Sequence, residues 1–223
     1  MRKLTLAALL AAAALSACTE ARIAVPSDVA AGTQQLALTG IGGWQDGSFR
    51  LGASEGRFSR RAEQARIFDI FVRNRGMATF EASGPELNGR AGATCGFREG
   101  EFDAGLAVLP AGRLTYNCRF DGGGELFLAE VPYGTGLLAG RSRAGEIRIG
   151  SERVAIEAIH NAAGGSLPAG TPLGYSFSVG GRQIGAVNLN GAKTVYAPAT
   201  PGAERDAVLL GSLALALFWD PGA

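Results

Sequence analysis

Histidine occurs once in this chain of 223 residues, lysine and methionine twice each, and cysteine three times. Each scarcity removes a class of function. With no second histidine and two of the three cysteines expected to be oxidised, a tetrahedral zinc site lacks ligands. His160, in Ile159-His160-Asn161 at the end of a predicted strand, reads as a hydrogen-bonded strand-end residue rather than a base or ligand. Neither a phosphate loop nor a dinucleotide fingerprint is present, so no cofactor is expected. The formal net charge of +1 argues against bulk binding of nucleic acid. Arginine replaces lysine almost everywhere, Lys3 and Lys193 being the exceptions, which reads as compositional bias before function.

Apolar runs of the roughly 20 residues needed to span a bilayer are missing too. The N-terminal run is shorter: Met1-Arg2-Lys3 is followed by an apolar stretch from Leu4 to Ala14 and then Leu15-Ser16-Ala17-Cys18. A basic start, an apolar middle and small residues before a cut site describe an export signal rather than a span. Leu15-Ser16-Ala17-Cys18 resembles the lipobox of bacterial lipoproteins. That resemblance implies cleavage after Ala17, a thioether-linked diacylglycerol on Cys18 and acylation of its new amino group. The alternative is an ordinary secretory signal that leaves Cys18 free. Thr19 stands where aspartate commonly retains such proteins at the inner membrane, which favours the periplasmic face of the outer membrane. The expected division is a signal peptide over 1–17, a tether over 18–33 and one domain over 34–223.

With Cys18 acylated, Cys95 and Cys118 remain, and an even pair in an exported chain reads as a disulfide. Both lie in predicted strands, Ala91–Arg98 and Arg113–Phe120. Bridged Cα atoms must lie within about 7 Å, so the two strands are expected side by side, in a hairpin turning near Ala104-Gly105.

The other apolar run, Ala207 to Trp219, has no polar stripe at helical spacing, and such a helix must be buried. Thr200 is expected as its N-cap, Pro201 at its first position, and Glu204 and Asp206 near the positive end of the dipole. Asp220-Pro221-Gly222 is the expected stop, and Ser212 is expected to bond back to the carbonyl of Val208. Between Gln34 and Ala197 the pattern is short strands with turn residues every ten or so positions. Candidates are Gln35–Leu38, Ser48–Leu51, Arg57–Arg60, Ile67–Arg73, Ala78–Ala82, Ala91–Arg98, Leu114–Phe120, Glu125–Val131, Gly145–Ile149, Arg153–Ile159, Gly174–Val179, Gln183–Leu189 and Lys193–Tyr196. Gly180-Gly181 and Asn190-Gly191 are hairpin turn signals because both turns require positive φ. About a dozen strands and one apolar helix of matching length predict a mainly β fold. The expectation is an antiparallel barrel, closed or nearly so, threaded by the C-terminal helix.

Leu173-Gly174-Tyr175-Ser176-Phe177, then Gly181-Arg182-Gln183-Ile184-Gly185-Ala186-Val187, then the terminal helix from Arg205 to Trp219, resemble the end of the tubby C-terminal fold. Plant LURP-one-related proteins and phospholipid scramblases share that fold. The resemblance covers about the last fifty residues and implies a barrel around a buried helix. Tubby domains bind phosphoinositides through basic side chains, a site that no residues here match one by one. The lipobox and the Cys95–Cys118 pair depart from those intracellular families, and fold likeness does not transfer function.

Three further patterns concern chemistry. Gly52-Ala53-Ser54-Glu55-Gly56 fits the G-x-S-x-G elbow, followed by Asp103 or Asp121 and then His160 in hydrolase order. That pattern needs a strand–turn–helix, for which Arg57 to Arg66 is the only candidate helix. The alternating strand–helix units and the oxyanion loop of such hydrolases are absent. A periplasmic serine hydrolase using Ser54 and His160 is therefore the alternative function, and a plain turn the simpler reading. Glu99, Glu101 and Asp103 alternate as a calcium loop could use, but Ala104 and Pro110 occupy the positions that want glycine and carboxylate. An exposed acidic turn is expected there. Arg57, Arg60, Arg61, Arg66, Arg73 and Arg75 form a candidate patch for anionic lipid, since guanidinium forks suit phosphate oxygens. The sequence thus predicts a lipid-anchored envelope protein with a non-enzymatic binding or structural role. Its expected partners are the membrane, through the anchor, and an envelope lipid or protein.

Overall fold

The computed structural model describes residues 22–67, 71–103, 108–134, 140–165 and 167–218. A short helix α1 (Ser27–Gly32) leads into twelve strands. The first six are β1 (Thr33–Thr39), β2 (Asp46–Leu51), β3 (Ser54–Ile67), β4 (Phe71–Gly84), β5 (Gly89–Asp103) and β6 (Val108–Phe120). The rest are β7 (Glu125–Tyr133), β8 (Gly140–Ile149), β9 (Glu152–Ile159), β10 (Gly174–Val179), β11 (Arg182–Asn188) and β12 (Thr194–Pro198), followed by helix α2 (Ala203–Leu217). Each strand pairs antiparallel with its neighbour in sequence, and β1 closes the ring against β12 from Thr33↔Pro198 to Ala37↔Thr194. The expected closed antiparallel barrel around a C-terminal helix is the structure observed.

This connectivity sorts the loops. Connections from an even strand to an odd one all fall at one end, the turn end, and span only 52–53, 85–88, 121–124, 150–151 and 180–181. Gly180 (φ 57°) and Gly181 (φ 82°) supply the positive φ that the tightest of these needs. Connections from odd to even strands gather at the opposite, loop end, and include the longer segments 40–45, 160–173 and 189–193.

Alternation aims every second side chain inward. In β9, Val154 and Ile156 are buried while Arg153, Ala155 and Glu157 are exposed. The inward set meets α2, which starts at the turn end where β12 stops. Val208, Leu209, Leu213 and Leu217 are fully buried. Two glycines make the helix fit. A Cβ on Gly185 of β11 would lie 2.9 Å from a methyl of Val208, and one on Gly211 of α2 would lie 2.7 Å from the ring of Phe177. Each element thus recesses where the other projects.

The helix differs from expectation in three details. Its N-cap is Gly202, not Thr200, without a side-chain cap bond; the first helical bond runs from Asp206 N to Gly202 O (3.0 Å). Residues 199–202 are spent carrying the chain from the wall to the barrel axis, so Pro201 lies outside the helix. Ser212 Oγ is buried with no hydrogen-bond partner instead of bonding to Val208. Trp219 and the Asp220-Pro221-Gly222 stop lie outside the described residues.

The segment expected to be a tether is, from Ile23 onward, seated on the barrel. Ile23 bridges to Ala162, and its N–H donates to Asn188 Oδ1 (3.2 Å). From that loop-end position the chain passes along β11 and β12 through α1 and enters β1 at the turn end. Gly185 faces α2, so Ala186 and Asn188 point outward; they are buried nonetheless, as are Ile23 and Val29, which explains why β11 is buried on both faces.

Strands β3 to β6 are the long ones, 13 to 15 residues against 5 to 7 in β10, β11 and β12. Two sequence expectations fail here. Arg57–Arg66 is strand, not helix, and Ile67–Arg73 spans a chain reversal, because Ile67 ends β3 and pairs with Phe71, the first residue of β4. The apolar run Ile-Phe-Asp-Ile-Phe-Val reads as one strand because nothing in it signals a turn. The cysteines behave as expected. Cys95 and Cys118 face each other across β5 and β6, are disulfide-bonded with Cα atoms 4.0 Å apart, and point into the core. Their separation of 23 residues corresponds to about 3 kcal/mol in the chain-entropy account. The hairpin tip around Ala104-Gly105 lies outside the described residues.

Candidate functional site

Gly52-Ala53 is the tight turn between β2 and β3, and Ser54 opens β3, so the G-x-S-x-G stretch is strand–turn–strand. That is the wrong geometry for a nucleophile elbow. Ser54 is 1% exposed, and its Oγ accepts the N–H of Glu86 (2.9 Å) at the turn end. His160 is 3% exposed at the loop end, following β9, which stands six strands away from β3 in a ring of twelve. Its Nδ1 lies 2.9 Å from Ala169 O, its Nε2 lies 3.0 Å from Ser142 Oγ, and its ring stacks on Tyr133 at 4.4 Å. Both ring nitrogens are engaged in fastening the 160–173 loop to β8. Ser54 and His160 are not brought together.

The arginine cluster is divided by the pleat of β3. Arg57 and Arg61 are exposed on the outer face, while Phe58 and Arg60 are buried on the inner one. Arg75 on β4 stands opposite Glu63, 3.7 Å away between exposed groups. The side chains of Arg66 and Arg73 lie outside the described residues. Arg57 contributes to a different feature, an outer groove of about 740 Å³ over β1 to β5 that also holds Arg50, Arg90, Glu55 and Glu81. One of its arginines is already committed, Arg90 bridging Glu81 at 2.7 Å.

Arg60 has another role. Its Nε donates to Trp44 O (2.8 Å), its Nη2 donates to Gly42 O, and its backbone N–H donates to Gln45 O (2.6 Å). It also lies over the Phe58 ring, 5.6 Å from the centroid. Burial lowers the guanidinium pKa from its usual value, which Tyr116 partly offsets. The 40–45 loop is thereby pinned across the mouth of the barrel, with Ile41 buried and Trp44 76% exposed.

No family model, curated protein or solved structure matches the chain.

Its own geometry defines the remaining polar features of the loop end. Alternation from Ile147 aims Arg143 and Arg141 of β8 inward. Arg143 covers the Phe218 ring at 4.7 Å and donates to Tyr175 Oη (3.4 Å). Arg141 bridges Glu99 (3.4 Å) and Glu130 (3.5 Å). Glu99 is therefore a buried member of a continuous strand, paired with a half-exposed arginine, and not part of the exposed acidic turn expected from its sequence; the side chains of Glu101 and Asp103 lie outside the described residues. Where α2 ends, Phe218 packs edge-on against Tyr116 (4.9 Å) and Phe97 (5.6 Å), and Tyr116 Oη donates to Ala214 O (2.8 Å). Complete burial, with Tyr175 adding to it, raises the Tyr116 pKa far above the usual phenol value, so it stays a donor. These contacts neutralise charge and seal the helix end.

Among the described residues no group of three or more His, Cys, Asp or Glu is placed to hold a metal ion, and no helix is long and apolar enough to cross a membrane. Sequence reasoning placed Arg60 in an outer lipid patch rather than beneath a loop, and missed Trp44. The one available signal was an aromatic residue set in a glycine-rich stretch, Gly40-Ile41-Gly42-Gly43-Trp44.

Proposed function

We propose that this chain is a lipid-anchored barrel of the bacterial envelope. It is held through acylated Cys18 on the periplasmic face of the outer membrane, and its role is binding or structural rather than catalytic. The lipobox-like Leu15-Ser16-Ala17-Cys18 carries the reading. Several acyl chains on one residue hold a protein to a bilayer where a single chain binds only reversibly. The cross-strand Cys95–Cys118 disulfide is the chemistry of an oxidising compartment, which supports export. The interior is occupied by α2, and this moves any binding surface to the outer wall or the rim. On the wall, the exposed Arg57, Arg61 and Arg75 are the candidate contacts for lipid phosphates. The likeness to the tubby C-terminal fold is one of architecture, a barrel around a helix, and lends this chain no ligand.

Replacing the anchor residue tests the reading. Cys18→Ser should move the protein from the membrane fraction to the soluble periplasmic fraction, and continued retention would contradict it. Catalysis is tested by a fluorophosphonate probe on the purified protein. Stoichiometric labelling that disappears in Ser54→Ala would replace the binding role with a hydrolase.

A further inference from the structure

The described chain begins at the loop end. Arg22 is exposed there, and its carbonyl accepts the N–H of Ala163 (2.7 Å) in the 160–173 loop. Only residues 19–21 separate it from an acylated Cys18. An extended chain advances at most about 3.6 Å per residue, so the acyl chains enter the bilayer within about 14 Å of Arg22. The barrel cannot stand off on a long tether, and its loop end is the end held against the lipid.

Among the described residues that end presents two large exposed apolar side chains. Trp44 is 76% exposed on the 40–45 loop and Leu167 is 73% exposed on the 160–173 loop. Both loops are fastened from beneath. Arg60 holds the carbonyls of Gly42 and Trp44. The second loop is closed by Ala169 N donating to His160 O (2.8 Å) and by the His160 ring against Ala169 O. A pinned loop that displays an apolar tip loses little freedom on binding, which is what preorganisation contributes to affinity. The two loops flank the point where Arg22 enters. Three strand spacings separate β11, beside Arg22, from β2, roughly 15 Å along the rim. The described charged side chains on this arc, Arg22, Lys193 and Asp46, leave it slightly positive. Tryptophan suits the boundary between headgroups and acyl chains, having a large apolar body and one polar N–H.

We propose that the loop end is a membrane-docking face on which Trp44 and Leu167 enter the phospholipid interface beside the anchor, leaving the turn end directed away from the bilayer. The inference rests on the acylation of Cys18 proposed above, and its test separates the two. The full-length acylated protein is placed in phosphatidylethanolamine–phosphatidylglycerol vesicles with brominated acyl chains. In the Trp219→Phe variant, Trp44 is the single tryptophan and should lose most of its emission. With Trp44→Phe added, Leu167→Trp should be quenched as well. Phe127→Trp in that background should keep its emission, because Phe127, 45% exposed, lies on the barrel wall. Intact mass reports acylation separately. An acylated, vesicle-bound protein whose Trp44 is unquenched overturns the docking face and leaves the anchor standing. A chain without acyl groups overturns the anchor and with it the docking geometry. Shielding of Trp44 from aqueous acrylamide without quenching by brominated lipid would assign the rim to a protein partner instead. Equal quenching at position 127 would place the wall in the bilayer and also overturn the proposal.

Discussion

The two ends of the barrel are each fastened by a buried arginine, and the two arginines do different things. At the turn end Arg205, in the first turn of α2, donates to Pro198 O (2.5 Å), to Gln34 Oε1 (3.0 Å) and to Glu86 Oε2 (2.6 Å). It thereby ties the helix to β12, to β1 and to the turn after β4, across the seam where the ring closes. At the loop end Arg60 holds the carbonyls of a single loop. One arginine holds the fold together and the other shapes a surface. Short turns and a buried ion pair make the first end rigid throughout, whereas longer connections, locally pinned, leave the second free to carry chemistry.

The contrast can be attacked from the element that joins the ends. Leu213 is fully buried at mid-helix, and Leu213→Asp would put an unpaired carboxylate inside the ring. The expected cost exceeds about 5 kcal/mol, comparable with the whole stability of a domain, so circular dichroism should find no folded barrel. A folded variant would mean that the helix is dispensable to both ends.

Smaller effects should separate the two arginines. Arg205→Ala leaves Glu86 poorly solvated, the two side chains being only 7% and 13% exposed, and should cost about 3–5 kcal/mol in denaturant unfolding. Arg60→Ala exposes two carbonyls at a rim that water can reach. Its cost should be about 1–2 kcal/mol, read as faster amide exchange confined to 40–46. Equal global losses would erase the distinction between the ends.

The smallest effect sharpens the turn end. Burial raises the pKa of Asp206, with Arg205 and a hydrogen bond from Asn88 opposing. A folded-state pKa above the unfolded one means that folding gains from protonation. That gain is present below the ordinary carboxylate range and is lost as pH rises through the raised value. Asp206→Asn should therefore flatten the fall in melting temperature over that window. A variant with an unchanged pH profile would show that its neighbours already compensate the charge.

The barrel was legible in the sequence because its cause is local. Alternation in Arg153–Ile159, glycine pairs at the turns and an apolar helix without a polar face each state their environment directly. The cysteine pair added a long-range restraint, and Cys95↔Cys118 is the register it implied. What the sequence hid is cooperative. Ser54 and His160 matched a motif in order, but their positions in the ring put them on opposite sides. Of six arginines close together in sequence, the four described became an outer face, an inner clamp and an ion pair once the pleat of β3 and β4 was laid over them. Arg205 and Glu99 gave no sign of burial, because a charge is buried only where distant residues supply its partner.

Closure of β1 on β12 has a consequence for how the protein forms. Thr33 finds Pro198, and the core helix is made only from residues beyond that strand. Neither the seam nor the plug exists until nearly the whole chain is available, so the inward apolar faces of eleven strands wait for the last. Such long-range pairing makes folding slow and exposes sheet edges to aggregation in the meantime. The C-terminal end of the chain decides when folding can finish, and a break anywhere before Ala203 leaves an open sheet with nothing at its centre.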